Sequence, residues 1–381
     1  MSLNTTPAAE RVHIGIFGKR NAGKSSLINA ITSQELAIVS EQKGTTTDPV
    51  YKAMELLPLG PVMIIDTPGL DDEGELGAQR IAKAQQVLNK CDIALLVVDA
   101  SVGLSEADKA LWQQLQAKKL PSILVLNKVE ILDEMRQALL TMEAMKLTKQ
   151  CFLVSALANR NINELKEAIA ALRPREVERQ LLGDLIKPCD IVVLVTPIDS
   201  AAPKGRLILP QVQTIRELLD KGCTVISCVP EGMRRSLDAL SAPPKLVITD
   251  SQAFATVSAL TPPESLLTSF SVLFANYKGD IRAFMEGAAA IDRLTEQSRV
   301  LIAEACTHAP ATEDIGRVKI PRLLRKRIGE GLAVDIVAGA DFPKDLSRYD
   351  LVIHCGACMF NRRHVLSRLA LASAQHIPMT N

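Results

Sequence analysis

Five short apolar runs, HIGIFG, VMIID, IALLVVDAS, SILVLNK and CFLVSAL, recur between Val12 and about Leu172, with longer amphipathic stretches between them. A strand with one wet face alternates apolar and polar residues; an unbroken apolar run is a strand covered on both faces. The intervening stretches, KSSLINAIT and KALWQQLQA among them, carry apolar residues at helical spacing. Strand and helix in turn predict a mostly parallel sheet with helices on its faces. Around ALRPREVERQLLGDLIKPCD, residues 171–190, charge rises and prolines enter, which marks a linker. A second, shorter alternation follows, with IVVLVTP, TVISCVP and KLVITD as strands, PQVQTIRELLDKG as a helix and SALTPPES closing it. From about Ser271 the chain becomes helix-rich. There EQSRVLIAEA reads as a helix, AVDIVAG and DLVIHC as strands and NRRHVLSRLALASAQ as a helix, and HIPMTN begins a further strand.

A chain of 381 residues is long for one core, and 47% hydrophobic with 23% charged residues is the mix of a globular protein. Net charge of +1 and 3% aromatics speak against a nucleic-acid-coated surface built on stacking platforms. No apolar run reaches the roughly 20 residues that span a bilayer. MSLNTTPAAER lacks the apolar stretch of a signal peptide, so the expected location is cytoplasmic. There, disulfides are a poor account of eight cysteines. Cys91, Cys151, Cys189, Cys223 and Cys228 stand singly in or beside apolar segments and read as buried small hydrophobes. Trp112 reads as helix packing, and the basic stretch RVKIPRLLRKRIGEG, 317–331, as a solvated helix face.

After the first strand comes GKRNAGKS, which sets Gly18, Gly23, Lys24 and Ser25 at phosphate-loop spacing before a helix. Glycines there let backbone N–H groups wrap phosphates, and the helix N-terminus adds a favourable dipole. The loop residues Gly18, Asn21, Ala22, Gly23, Lys24, Ser25 and Ser26 form the expected cradle; Lys24 reaches the β- and γ-phosphates and Ser25 holds magnesium. DTPG follows VMIID, so Asp66 can hold magnesium through water while the Gly69 N–H meets the γ-phosphate. NKVE ends SILVLNK, where Asn127 and Lys128 line the base and a carboxylate, Glu130, reads guanine. SAL, containing Ser155 and Ala156, ends the next strand and offers a backbone N–H to the base. Leu70 follows Gly69 and has no group to orient water, so intrinsic hydrolysis is expected to be slow.

Near the other end, Cys306-x-His308 and Cys355-x-x-Cys358 supply three thiols and an imidazole, enough to surround a metal or cluster. Three chemistries suit these ligands: a structural Cys₃His zinc site, a thioredoxin-like redox pair and an iron–sulfur cluster. Ligand chemistry alone leaves all three open.

The four nucleotide motifs, in order on successive strands over residues 11–172, resemble the translation-factor-like GTPases. EQKGTTTD, 41–48, is similar to the switch loop of the potassium-using subgroup. That resemblance implies potassium on Asn21, and Thr46, or its neighbour Thr45, on magnesium. Lys24, Asn21, Thr46 and Gly69 are then the catalytic set. One departure is Glu130, where the family usually has aspartate, which bears on guanine selectivity. Such a GTPase domain joined to a small α/β domain and a C-terminal C-x-H followed by H-C-x-x-C resembles the HydF-type iron–iron hydrogenase maturation GTPases over the whole chain. The implied fold class is α/β: a P-loop GTPase domain with a mostly parallel sheet (1–174), a small α/β dimerisation domain (175–265) and a helix-rich α/β cluster-binding domain (266–381). The resemblance further implies GTP/GDP, Mg²⁺, K⁺ and a 4Fe–4S cluster on Cys306, Cys355 and Cys358 with one iron open, His308 being the fourth motif residue. It also implies a homodimer or higher oligomer that acts as scaffold and carrier. Its di-iron precursor would come through radical-SAM maturation enzymes and pass to apo iron–iron hydrogenase. The rival reading is a ribosome- or tRNA-directed GTPase with a structural zinc.

Overall fold

Val12–Phe17 (β1) and Gly60–Asp66 (β3) lie side by side and parallel, and Val50–Leu56 (β2) turns back antiparallel on β3. Ile93–Asp99 (β4), Ser122–Asn127 (β5) and Cys151–Leu153 (β6) extend the sheet on the other side, giving the order β2-β3-β1-β4-β5-β6. This is a computed structural model, and it describes residues 6–32, 48–69, 83–172, 180–198, 207–304, 315–339, 341–355 and 360–381. Helices Lys24–Thr32 (α1), Glu106–Ala117 (α2), Glu134–Met145 (α3) and Ile162–Ala171 (α4) cover the sheet. Its apolar runs are buried from both sides: Ile14, Ile16, Leu95 and Val125 face one core, Phe17, Leu96, Leu124 and Leu126 the other. Each such side chain contributes roughly 1.5–3 kcal/mol of burial. Trp112 is buried in the second of these cores, as its spacing predicts. All five predicted strands are present. β2 is an addition: its alternating exposure marks a strand at the sheet edge with one wet face.

The chain divides into two compact units, residues 1–175 and 176–381. Two sheets build the second unit, both wholly parallel. Ile191–Val195 (β7), Thr224–Cys228 (β8), Leu246–Thr249 (β9) and Leu266–Ser269 (β10) form the order β10-β9-β7-β8. With them go helices Leu209–Asp220 (α5), Met233–Asp238 (α6), Phe254–Leu260 (α7) and Phe270–Lys278 (α8). The expected boundary at 265/266 falls inside this sheet, because β10 pairs with β9 and Phe270, Leu273 and Phe274 of α8 enter its core. We therefore propose that the division lies between Lys278 and Ile281.

The third sheet has the order β12-β11-β13-β14, from Arg299–Glu304 (β11), Ala333–Ala338 (β12), Leu351–His354 (β13) and Met379–Thr380 (β14). Ile281–Ala289 (α9), Ile320–Ile328 (α10) and Arg362–Ala374 (α11) accompany it. The stretch EQSRVLIAEA, expected as a helix, is instead built around a strand. Its VLIA core is β11, paired on both sides and buried on both faces, an environment that overrides the helix-compatible spacing. HIPMTN does end in a short strand. Of the five single cysteines, Cys91 and Cys223 are buried, whereas Cys151 and Cys228 are half-buried. Cys189 is exposed, in a turn with left-handed backbone, φ 71°, so the apolar reading fails there. Among the described residues no helix is long and apolar enough to cross a membrane.

Candidate functional site

The carboxyl end of β1 runs into the glycine-rich loop, and the register places Ile16 opposite Asp66 of β3. Gly18 and Gly23 take φ of 145° and 84°, and a Cβ on Gly23 would collide with Asn127. Asn21, exposed at the loop tip, has φ 60°. Lys24 is 9% exposed, and its Nζ donates to the carbonyls of Gly18 (3.0 Å) and Lys19 (2.8 Å). The loop thus curls around its own lysine, with Ala22 buried beneath and Ser25 and Ser26 opening α1.

Ser25 Oγ donates to Asp66 Oδ2 at 3.2 Å. Burial pushes the Asp66 carboxyl up, against the pull of Lys24 and Ser25. Among the described residues its second oxygen, Oδ1, is buried with no hydrogen-bond partner. A hydroxyl beside an undonated carboxylate oxygen is a hard oxygen donor set, which fits magnesium or its bound water. Thr67, which sequence reasoning passed over, pins the motif: its Oγ1 and N–H both donate to the Ile16 carbonyl, at 2.7 and 3.3 Å. Gly69 ends this described segment. Thr46 and Leu70 lie outside the described residues.

At the carboxyl end of β5, Asn127 is 1% exposed. Its Nδ2 donates to the Ala22 carbonyl at 3.1 Å, and its Oδ1 accepts from the Ala156 N–H at 3.0 Å. One amide therefore joins the phosphate loop, β5 and the stretch after β6. Lys128, at φ 67°, turns its Nζ onto Asp99 at 2.6 Å. Asp99 is a second residue that sequence reasoning missed; it ends β4 in register with Asn127. Glu130 is exposed on the single turn Val129–Ile131. Buried Ser155 donates its N–H to Arg160 and accepts through Oγ from the Ala158 N–H.

In the second unit, β11 and β13 run parallel with Ala303 opposite His354, and the Cys355 N–H donates to the Ala303 carbonyl at 3.0 Å. Cys306, His308 and Cys358 lie outside the described residues; among the described residues no three metal-ligating side chains gather. His354 is 1% exposed. Its Nδ1 lies 2.7 Å from the Cys355 carbonyl, which only accepts, so Nδ1 carries the proton. Nε2 then presents a lone pair, and Arg368 Nη1 donates to it at 3.0 Å. Burial, with the Arg368 charge beside it, pushes the imidazole down to about 3. Lys278 Nζ donates to the Phe360 carbonyl at 2.9 Å, fixing the chain where it re-enters α11.

These sites sit on the frame of a P-loop GTPase with two further α/β domains. The sequence model of the 50S ribosome-binding GTPase family matches residues 13–128. That of the Hydrogen maturase F dimerization domain matches 181–279, and that of its tetramerization domain 282–381. The chain belongs to the HydF-type hydrogenase maturation GTPases. GTPase Der of Mycoplasmopsis pulmonis is 32% identical over 187 residues, 45% of this chain and 43% of that protein. The tRNA modification GTPase MnmE of a Cyanothece species is 36% identical over 160 residues, 41% of this chain and 33% of that protein. The chain thus spans less than half the length of these relatives. Era of Aquifex aeolicus with GDP·AlF4⁻ matches at 22% identity with a TM-score of 0.40, over 57% of this chain and 92% of that one.

Proposed function

We propose that this protein is a GTP-hydrolysing scaffold and carrier, cytoplasmic and homo-oligomeric. It would bind a 4Fe–4S cluster and deliver the di-iron precursor of the hydrogenase active site to apo iron–iron hydrogenase, in concert with radical-SAM maturation enzymes. One observation carries the cluster part. The carboxyl ends of β11 and β13 are hydrogen-bonded neighbours, Cys355 to Ala303, and Cys306 follows Ala303 by only three residues. Three residues of chain reach at most about 11 Å. Cys358 lies equally close to Cys355 along the chain, so both cysteine motifs follow the carboxyl ends of two neighbouring strands.

In the nucleotide site Lys24 exchanges the Gly18 and Lys19 carbonyls for the β- and γ-phosphate oxygens, and the loop N–H groups take the rest. Ser25 and Asp66 would hold magnesium, with Thr46; bound there, the ion supplies charge neutralisation to the phosphates. Gly69 offers its N–H to the γ-phosphate, and Asn21 is the residue proposed to hold potassium. Asn127, Lys128, Glu130 and the 155–157 backbone enclose the base. With Leu70 in place of a water-orienting side chain, turnover is slow and potassium-stimulated.

Anaerobic purification with iron, sulfide and zinc analysis tests the carrier reading. Brown protein with iron and sulfide and air-sensitive charge-transfer absorption is expected. Colourless protein with one zinc and RNA affinity would return the chain to a ribosome- or tRNA-directed GTPase.

A further inference from the structure

Arg368 is 3% exposed, yet among the described residues no carboxylate pairs with it. Its hydrogen bonds go to neutral acceptors: Nη1 to His354 Nε2 at 3.0 Å and Nη2 to the Gly339 carbonyl. Its guanidinium lies over the rings of Phe342 and Phe360, 4.7 Å from each centroid. Among the described residues Nε is buried with no hydrogen-bond partner. A cation taken out of water needs a counter-charge, and two aromatic faces and two neutral acceptors supply only part of it. The histidine that Arg368 grips directly precedes Cys355 and bonds to its carbonyl through Nδ1, so the guanidinium is tied to the start of the cysteine motif. Among the described residues, then, this one guanidinium keeps an unused donor and lacks an anionic partner beside the strand end where a cysteine motif begins.

We infer that Arg368 is the counter-ion of the cysteine site: its buried guanidinium offsets the negative charge that thiolates and an iron–sulfur cluster bring to the carboxyl ends of β11 and β13. This rests on the cluster reading above. His354 is part of the same device. Its Nδ1 proton is given to the Cys355 carbonyl and its Nε2 lone pair to Arg368, so it serves as a brace and leaves iron to other residues. Arg368 is thus a positioning residue that acts through charge.

The effect is read on the full chain, reconstituted anaerobically with ferrous iron and sulfide, as wild type, Arg368→Gln and Arg368→Lys. Iron and sulfide are counted, and the cluster's reduction is followed by electron paramagnetic resonance at set potentials. One-electron reduction adds a negative charge, so losing the guanidinium disfavours the reduced form. Arg368→Gln is expected to lower the reduced-to-oxidised ratio about tenfold, a midpoint shift of about 59 mV to the negative side for one electron. Arg368→Lys is expected to recover most of it. Loss of the cluster in Arg368→Gln with retention in Arg368→Lys supports the same conclusion. An unshifted midpoint in a fully loaded Arg368→Gln overturns the counter-ion role and leaves the cluster reading intact. Failure of Arg368→Lys to load also overturns it, since charge alone then does not suffice. Wild-type protein without iron and sulfide removes the cluster reading, and this inference with it.

Discussion

Asp66 carries one oxygen satisfied by Ser25 and one buried with no donor among the described residues, so its unmet need is specific. Asp66→Asn keeps the shape but removes the charge that magnesium needs. GTP turnover at saturating magnesium should fall roughly a hundredfold, about 3 kcal/mol of lost stabilisation, when followed by phosphate release. Because burial raises the Asp66 carboxyl, magnesium affinity should weaken as pH falls towards that raised value. His13 gives a second pH dependence. Its Nδ1 lies 3.7 Å from Asp92 Oδ2, which looks like an ion pair, but that oxygen accepts from the His13 backbone N–H at 2.8 Å. Burial dominates and holds the ring at about 4, below its ordinary 6.5. Between those values the unfolded chain binds a proton that the folded chain refuses. Stability is therefore complete above pH 6.5 and declines as pH falls through the window to about 4. The total is about 3 kcal/mol. Urea midpoints across that range should show the decline, and His13→Gln should flatten it. Neither His13 nor Arg368 announces itself in the sequence. The phosphate-loop residues do, because their chemistry depends on local spacing. Arg368 lies fourteen residues beyond His354, and only the docking of α11 brings them together.

Elements were legible where a run of residues fixed its own environment. The strands of the first sheet need cover on both faces, and their apolar runs say so without reference to anything distant. β2 and β10 escaped for opposite reasons. β2 lies at the sheet edge and alternates buried with open positions, while β10 is a four-residue strand directly before α8 with little apolar signal of its own. β11 was misread because RVLIAE satisfies helical as well as strand spacing when short, and only its two neighbours, β12 and β13, decide the matter. The consequence reaches function: with 299–304 a strand, Cys306 follows the carboxyl end of β11, beside the carboxyl end of β13 that leads into Cys355. The close fit at the other margin of this sheet can be tested. Gly287 of α9 lies against the Met379 carbonyl of β14, where a Cβ would collide with backbone. Thr380 Oγ1 donates to the Phe284 carbonyl at 2.9 Å, holding helix and strand together. Backbone on both sides leaves nothing flexible to yield, so Gly287→Ala should cost about 1–3 kcal/mol as overpacking. A lowered thermal midpoint would be the readout, and a Gly287→Ala protein as stable as wild type would mean that α9 shifts freely on β14.

At the scale of the whole molecule, the nucleotide groove belongs to one compact unit and the cysteine edge to the other. Coupling between them can be treated as an equilibrium effect, in which nucleotide binding favours one state of the chain and cargo binding favours the same or the opposing state. Such linkage is reciprocal: if GTP changes cargo affinity by some factor, cargo changes GTP affinity by that factor. Typical couplings span about 5–150-fold. The family's dimerization and tetramerization domains give such a change a further route, through contacts between copies of the chain. We therefore predict that a non-hydrolysable GTP analogue binds apo and cluster-loaded protein with dissociation constants differing at least fivefold. The equilibrium affinity for the cluster, measured by competition with a chelator with and without the analogue, should change by the same ratio. Agreement of the two ratios would establish linkage, since either ratio alone could reflect damage during reconstitution. If both ratios equal one, while hydrolysis proceeds at the same rate in apo and loaded protein, the nucleotide switch and the metal site share a chain without sharing a function.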